Sequence, residues 1–108
     1  MNITKNISGK IILDDDIKSG TIFFEDTIKD IKFEIEQSYK NYIVPGFIDL
    51  HCHGGKGYDT MEGVNNIIKM SEYHLSHGTT TLYPTTVTAK FDDTFEALKG
   101  LNIYLKKK

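Results

Sequence analysis

Residues 43–57, IVPGFIDLHCHGGKG, constrain this chain more than any other stretch. Residues 43–50 are apolar apart from Asp49, which predicts a strand buried on both faces in a parallel sheet. The strand runs into His51-Cys52-His53 and then a turn carrying Gly54, Gly55 and Gly57. Side chains alternate with period two along a strand, so Phe47, Asp49, His51 and His53 share one face and Ile48, Leu50 and Cys52 the other. Two residues span about 6.6 Å of strand, close enough for the imidazoles of His51 and His53 to converge on one ion. The expectation is a metal site at the C-terminal mouth of a strand whose apolar face packs on a helix. A lone strand histidine is more often a hydrogen-bonded structural residue. Two in register, beside an acid and a glycine turn, favour a ligand pair, but spacing alone leaves both readings open.

The stretch before it reads as short antiparallel strands. Residues 10–13 form the first, closed by Asp14-Asp15-Asp16 and Ser19-Gly20, and residues 21–24 the second, with a turn at Glu25-Asp26. Ile31, Phe33 and Ile35 alternate with Lys32, Glu34 and Glu36, the pattern of a half-buried strand. The acidic triplet lacks the spaced ligands and distal glutamate of a calcium loop and reads as a solvated turn. After residue 57, a helix is predicted over residues 60–77, capped by Asp59 or Thr60 and ended at Gly78, with Val64, Ile67, Ile68, Ser71, His74 and Leu75 on one face. His74 and His77 have structural explanations there: one lies on the packed face and the other near the helix end. Residues 79–83 are a second buried strand, ended by Pro84. Asp92 or Asp93 then caps a last helix with Phe95, Leu98, Leu101 and Leu105 inward, and Lys106, Lys107 and Lys108 complement its C-terminal dipole. The fold class is therefore α/β: strands, then two consecutive strand–helix units of a parallel sheet.

Composition limits the function classes. A net charge of −2 gives no reason to expect nucleic acid or an anionic membrane as partner. All 13 basic residues are lysines, so bidentate guanidinium recognition of phosphate is not available. The single cysteine, Cys52, excludes an internal disulfide, fits a reducing compartment and reads as a small buried hydrophobe. With no apolar leader or membrane-length run, a cytoplasmic protein is expected.

Val44-Pro-Gly-Phe-Ile-Asp-Leu-His-Cys-His-Gly-Gly-Lys-Gly-Tyr-Asp59 resembles the first barrel strand of the amidohydrolase superfamily. His77-Gly-Thr-Thr-Thr-Leu-Tyr-Pro-Thr-Thr-Val-Thr88 resembles its second strand and the following loop. The Gly-Gly-x-Gly and Pro-Thr-Thr-x-Thr segments point more narrowly to the N-acetylglucosamine-6-phosphate deacetylase family. That resemblance implies that residues 1–42 are part of a small β-sandwich and residues 43–108 the first two βα units of a (β/α)8 barrel, incomplete in this chain. It also implies that His51 and His53 hold a divalent metal, zinc or iron, with Asp49 orienting a ring or reaching the metal's edge. The implied substrate is a small amino-sugar phosphate, and a homodimer is implied for the complete enzyme. Loop residues 84–88, with Thr85, Thr86 and Thr88, lie where barrel loops face the site; the competing reading is that they only satisfy backbone groups. No catalytic acid/base carries over to a position here, so an N-terminal fragment, inactive alone, is expected. Two alternatives remain: another amidohydrolase, dihydroorotase-like or imidazolonepropionase-like, and a non-catalytic small metal-binding α/β module.

Overall fold

The structure, a computed structural model, describes residues 4–35 and 38–106. It is a mixed α/β chain with open sheets, dividing into one compact unit up to Pro45 and a second from Gly46 onward. The readings for Glu36, Lys107 and Lys108 lie outside the described residues.

The first unit is a four-stranded sheet in the order β3-β2-β1-β4: β1 (Lys5–Ile12), β2 (Ile17–Phe24), β3 (Ile28–Phe33) and β4 (Tyr42–Ile43). The strands are longer than their apolar cores suggest, and Ser19-Gly20 lies inside β2 rather than in the turn. The turn itself is Leu13 to Asp16, closed by a backbone hydrogen bond of 2.9 Å. The register pairs Ile7 with Ile22 and Ile22 with Ile31, so one face is apolar. On the other face Ser8 and Thr21 share a 2.7 Å hydroxyl contact, Thr21 reaches Glu34, and Tyr39 donates to Glu34 at 2.7 Å. Of the expected half-buried row in the third strand, Ile31 is half-buried, Phe33 is exposed, and Ile35 falls beyond the strand.

The expected strand over residues 43–50 divides. Ile43 pairs in parallel with Ile11 of β1, whereas β5 (Phe47–Cys52) pairs in parallel with β8 (Thr79–Pro84). Pro45 supplies the physical reason: it has no N–H for a ladder and restricts Val44 before it. Between β5 and β8 lie the small hairpin β6–β7 (Gly54–Gly55 with Tyr58–Asp59), a 3-10 turn (Thr60–Glu62), and α1 (Val64–Leu75). The Asp59 carboxylate caps the 3-10 turn by accepting from Met61 N–H at 2.8 Å, so the α-helix starts later than its apolar period suggests. Gly78 turns the chain at the helix end with φ 96, a conformation that disfavours a Cβ.

The core of this unit is Ile67 and Met70 of α1, Cys52, Thr60, and Ala97 of α2 (Phe91–Lys106). The inner face of α2 differs from the expected one. Ala97 and Gly100 are buried and Leu101 and Tyr104 half-buried, while Phe95, Leu98 and Leu105 are exposed. Small residues face inward because α2 approaches the start of α1 closely: a Cβ on Gly100 would stand 3.1 Å from the Val64 nitrogen. No helix among the described residues is long and apolar enough to cross a membrane.

Candidate metal-binding pair at the end of the first parallel strand

The end of β5 carries His51 and His53 outward and Cys52 inward, as strand alternation requires. The two imidazoles converge: their Nε2 atoms are 2.9 Å apart, with ring planes at 79°. Both rings are exposed, so neither is a core histidine. His53 Nδ1 lies 3.0 Å from the Thr85 carbonyl oxygen. A carbonyl only accepts, so Nδ1 carries the proton and the neutral ring presents Nε2 as a lone pair. That is the form in which an imidazole binds a metal through Nε2.

The backbone under this pair is held from three directions. The Cys52 carbonyl accepts from Thr85 N–H at 2.7 Å and from the Thr60 hydroxyl at 3.3 Å. The His53 carbonyl accepts from Thr60 N–H at 2.9 Å. The Gly54 carbonyl is 3.0 Å from His74 Nε2, which gives His74 the structural role expected of it. His77 Nδ1 likewise binds the Tyr73 carbonyl at 2.9 Å. Cys52 packs against Met70 and His74, and burial pushes its thiol pKa up, with the charge of Asp49 adding to the effect. A thiol kept protonated in this way is a packing group, not a nucleophile.

Asp49 accepts the backbone N–H of His51 at 3.1 Å. In the loop after β8, the Thr85 hydroxyl donates to the Tyr83 carbonyl at 3.0 Å, so this side chain does satisfy backbone, while Thr86 is half-buried and Thr88 exposed. Thr60, read from the sequence as a helix cap, and Thr85, read as pocket lining or turn, both help to pin the histidine segment. Their partners lie 8 and 32 residues away, beyond the reach of any local pattern.

The pair fits half of a metal centre. Nitrogens about 2.0–2.1 Å from a tetrahedral ion stand about 3.3 Å apart, so these need separate by only a few tenths of an ångström. Among the described residues no group of three or more His, Cys, Asp or Glu side chains could hold an ion. A groove of about 740 Å³ between α1, β8 and α2 is lined by Ile68, Leu75, Leu82, Leu101 and Tyr104 and by neither histidine of the pair.

Sequence comparison finds that the chain is similar to curated N-acetylglucosamine- and N-acetylgalactosamine-6-phosphate deacetylases. It is 32% identical over 84 residues to the N-acetylglucosamine-6-phosphate deacetylase of Bacillus subtilis (strain 168), covering 77% of this chain and 21% of that protein. It is 32% identical over 75 residues to the N-acetylgalactosamine-6-phosphate deacetylase of Escherichia coli O157:H7, covering 68% of this chain and 20% of that protein. With the N-acetylglucosamine-6-phosphate deacetylase of Vibrio furnissii the identity is 42% over 48 residues, 44% of this chain and 12% of that protein. The chain thus spans about a fifth of the length of the curated relatives it matches first. No family model matches the chain, and no solved structure does.

Proposed function

We propose that this chain is the metal-pair portion of an N-acetylglucosamine-6-phosphate deacetylase. In this reading residues 1–42 belong to a small β-sandwich and residues 43–108 are the first two βα units of a (β/α)8 barrel. The observation that carries the reading is the 2.9 Å approach of His51 and His53 Nε2 at the C-terminal end of β5, where such barrels place their chemistry. A divalent zinc or iron ion held there supplies Lewis-acid activation of an amide carbonyl and of water. The chain's own contribution is positional: β5 sets the imidazoles side by side, and Thr60 and Thr85 hold the segment rigid. The remaining ligands, the acid/base and the phosphate-binding groups lie on residues other than these, and a homodimer of the complete enzyme belongs to the same proposal. Hydrolysis would release acetate and glucosamine 6-phosphate from N-acetylglucosamine 6-phosphate. The relatives named above are all deacetylases, which favours this substrate class over a dihydroorotase-like one.

A chimera tests the proposal: residues 1–108 replace the matching segment of the Bacillus subtilis relative, and zinc content and acetate release are measured. The expected result is an active, zinc-loaded chimera that loses both properties when His51→Asn and His53→Asn are introduced together. Unchanged stoichiometry and turnover in the double variant would reject the pair as ligands.

A further inference from the structure

We infer that the main chain of Thr85 is a positioning element for the metal pair, selecting the ring tautomer that leaves His53 Nε2 free to bind. The inference rests on the metal reading above. Four contacts carry it. Thr85 O accepts His53 Nδ1–H at 3.0 Å, and Thr85 N–H binds the Cys52 carbonyl at 2.7 Å. The Thr85 hydroxyl ties to Tyr83 O at 3.0 Å, and His51 Nε2 faces His53 Nε2 at 2.9 Å. The first two contacts form a reciprocal latch. The β8 loop grips the residue before His53 through its N–H and orients the ring of His53 through its C=O. Strand β5 alone fixes where the His53 Cβ points but leaves the ring free to rotate and to carry its proton on either nitrogen. The latch removes both freedoms with backbone atoms, which is why a sequence reading of Thr85 as a hydroxyl-bearing residue misses it. Because the neutral His53 ring is already protonated at Nδ1, the 2.9 Å contact has His51 Nε2–H as donor. His51 gives up that proton position when an ion replaces the contact. His53 is therefore the pre-set ligand of the pair and His51 the adaptable one.

The test uses the full 108-residue chain. Imidazole 15N shifts of the metal-free chain, read by magic-angle-spinning NMR so that assembly size is immaterial, report each tautomer; the His53 signals are assigned by their loss in His53→Asn. His53 protonated at Nδ1 is the expected result, and His53 protonated at Nε2 overturns the inference without any further variant. Thr85→Pro then removes the N–H half of the latch, and Thr85→Ser retains the N–H, the C=O and the hydroxyl. Thr85→Pro is expected to shift His53 toward the Nε2-protonated form and to weaken zinc binding about ten-fold or more, the usual cost of losing a partner behind a ligand. Thr85→Ser is expected to keep the parent tautomer and affinity. A Thr85→Pro chain with unaltered tautomer and affinity overturns the inference. Failure of the metal reading looks different: the parent chain shows the Nδ1 tautomer but binds zinc no better than the His51→Asn, His53→Asn double variant. That result reduces the latch to a strand-end clamp and overturns its role toward a metal.

Discussion

The carboxylate of Asp49 accepts the backbone N–H of His51 at 3.1 Å, turning back onto its own strand at the point where β5 leaves its regular pairing with β8. The ladder shifts between Asp49 and Cys52, so the His51 amide lies at an irregularity, and the carboxylate takes up this donor. Asp49 in this role needs an acceptor oxygen rather than a charge. Asp49→Asn, which keeps Oδ1, is expected to leave the melting temperature nearly unchanged and zinc affinity within about two-fold, because a neutral amide oxygen serves the same N–H. Asp49→Ala is expected to lose about 1 kcal/mol. Thermal unfolding and zinc titration of the two variants check this. A large loss of affinity in Asp49→Asn alone would show that the charge acts on the metal directly.

The packing of α2 on α1 gives a prediction opposite in sign to helix propensity. Leucine is a far better helix former than glycine, by about 0.8 kcal/mol or more. Yet a Cβ at position 100 meets the Val64 nitrogen at 3.1 Å and the Gly63 backbone at 3.4 Å, atoms that cannot rotate away. Gly100→Leu is therefore expected to destabilise the second unit by about 1–3 kcal/mol through overpacking. Leu98→Ala, on an exposed position, should cost less than about 1 kcal/mol. Denaturant unfolding followed by circular dichroism separates them, and a stabilised Gly100→Leu would refute the close approach.

Much of the local structure was readable from residue patterns. Strand alternation alone put His51 and His53 on one face, because side-chain direction on a strand depends on nothing beyond the period. Its start was not, since apolar residues continue through Pro45 while the pairing partner changes from Ile11 to Thr79 and Thr81. The inward face of α2 was misread for a related reason. The helix has two apolar stripes, and hydrophobicity favours the one with Phe95, Leu98 and Leu105, whereas the close approach to α1 requires the one with Ala97 and Gly100. The place of Thr85 in the loop after the second strand was readable, but the supporting contacts of Thr60 and Thr85 were not, since each acts on backbone carbonyls brought near by the fold.

Cys52 links stability to pH. Burial raises its thiol pKa above the unfolded value, with Asp49 adding to the shift. The folded state therefore holds the thiol proton more tightly than the unfolded state does. The corresponding stabilisation is complete below the unfolded thiol pKa of about 8.5 and is lost as pH rises through the folded value. Cys52→Ala removes the titrating group and leaves a small cavity, so at pH 7 it is expected to cost about 1 kcal/mol. The difference from the parent chain should shrink between pH 8 and pH 10. At neutral pH iodoacetamide should modify Cys52 in the folded chain far more slowly than in urea. A constant stability difference across that range would contradict the raised pKa.

The last prediction concerns the chain by itself: it should self-associate and should not hydrolyse the sugar amide. Among the described residues β5 pairs with β8 alone, leaving two outer edges whose N–H and C=O groups can take further strands. Large apolar side chains lie beside those edges: Ile48 is 63% exposed, Leu50 70% and Phe47 57%, on both faces of β5. Phe91 of α2 is 80% exposed, and Leu105, 68% exposed, lines the groove between α1, β8 and α2. Burying apolar surface is worth about 25 cal/mol per Å², so association that covers even a few hundred Å² of these surfaces is favourable by several kcal/mol before its entropic cost. Catalysis is expected to fail for an independent reason. Two imidazoles leave a zinc ion short of the three protein ligands a catalytic site normally uses, and the described residues offer no further cluster. Size-exclusion chromatography with light scattering, thermal unfolding and an acetate-release assay with added zinc or iron examine the two halves separately. A monodisperse monomer with one sharp transition would overturn the association half. Metal-dependent acetate release that disappears in His51→Ala would overturn the catalytic half and show that the pair suffices without further ligands.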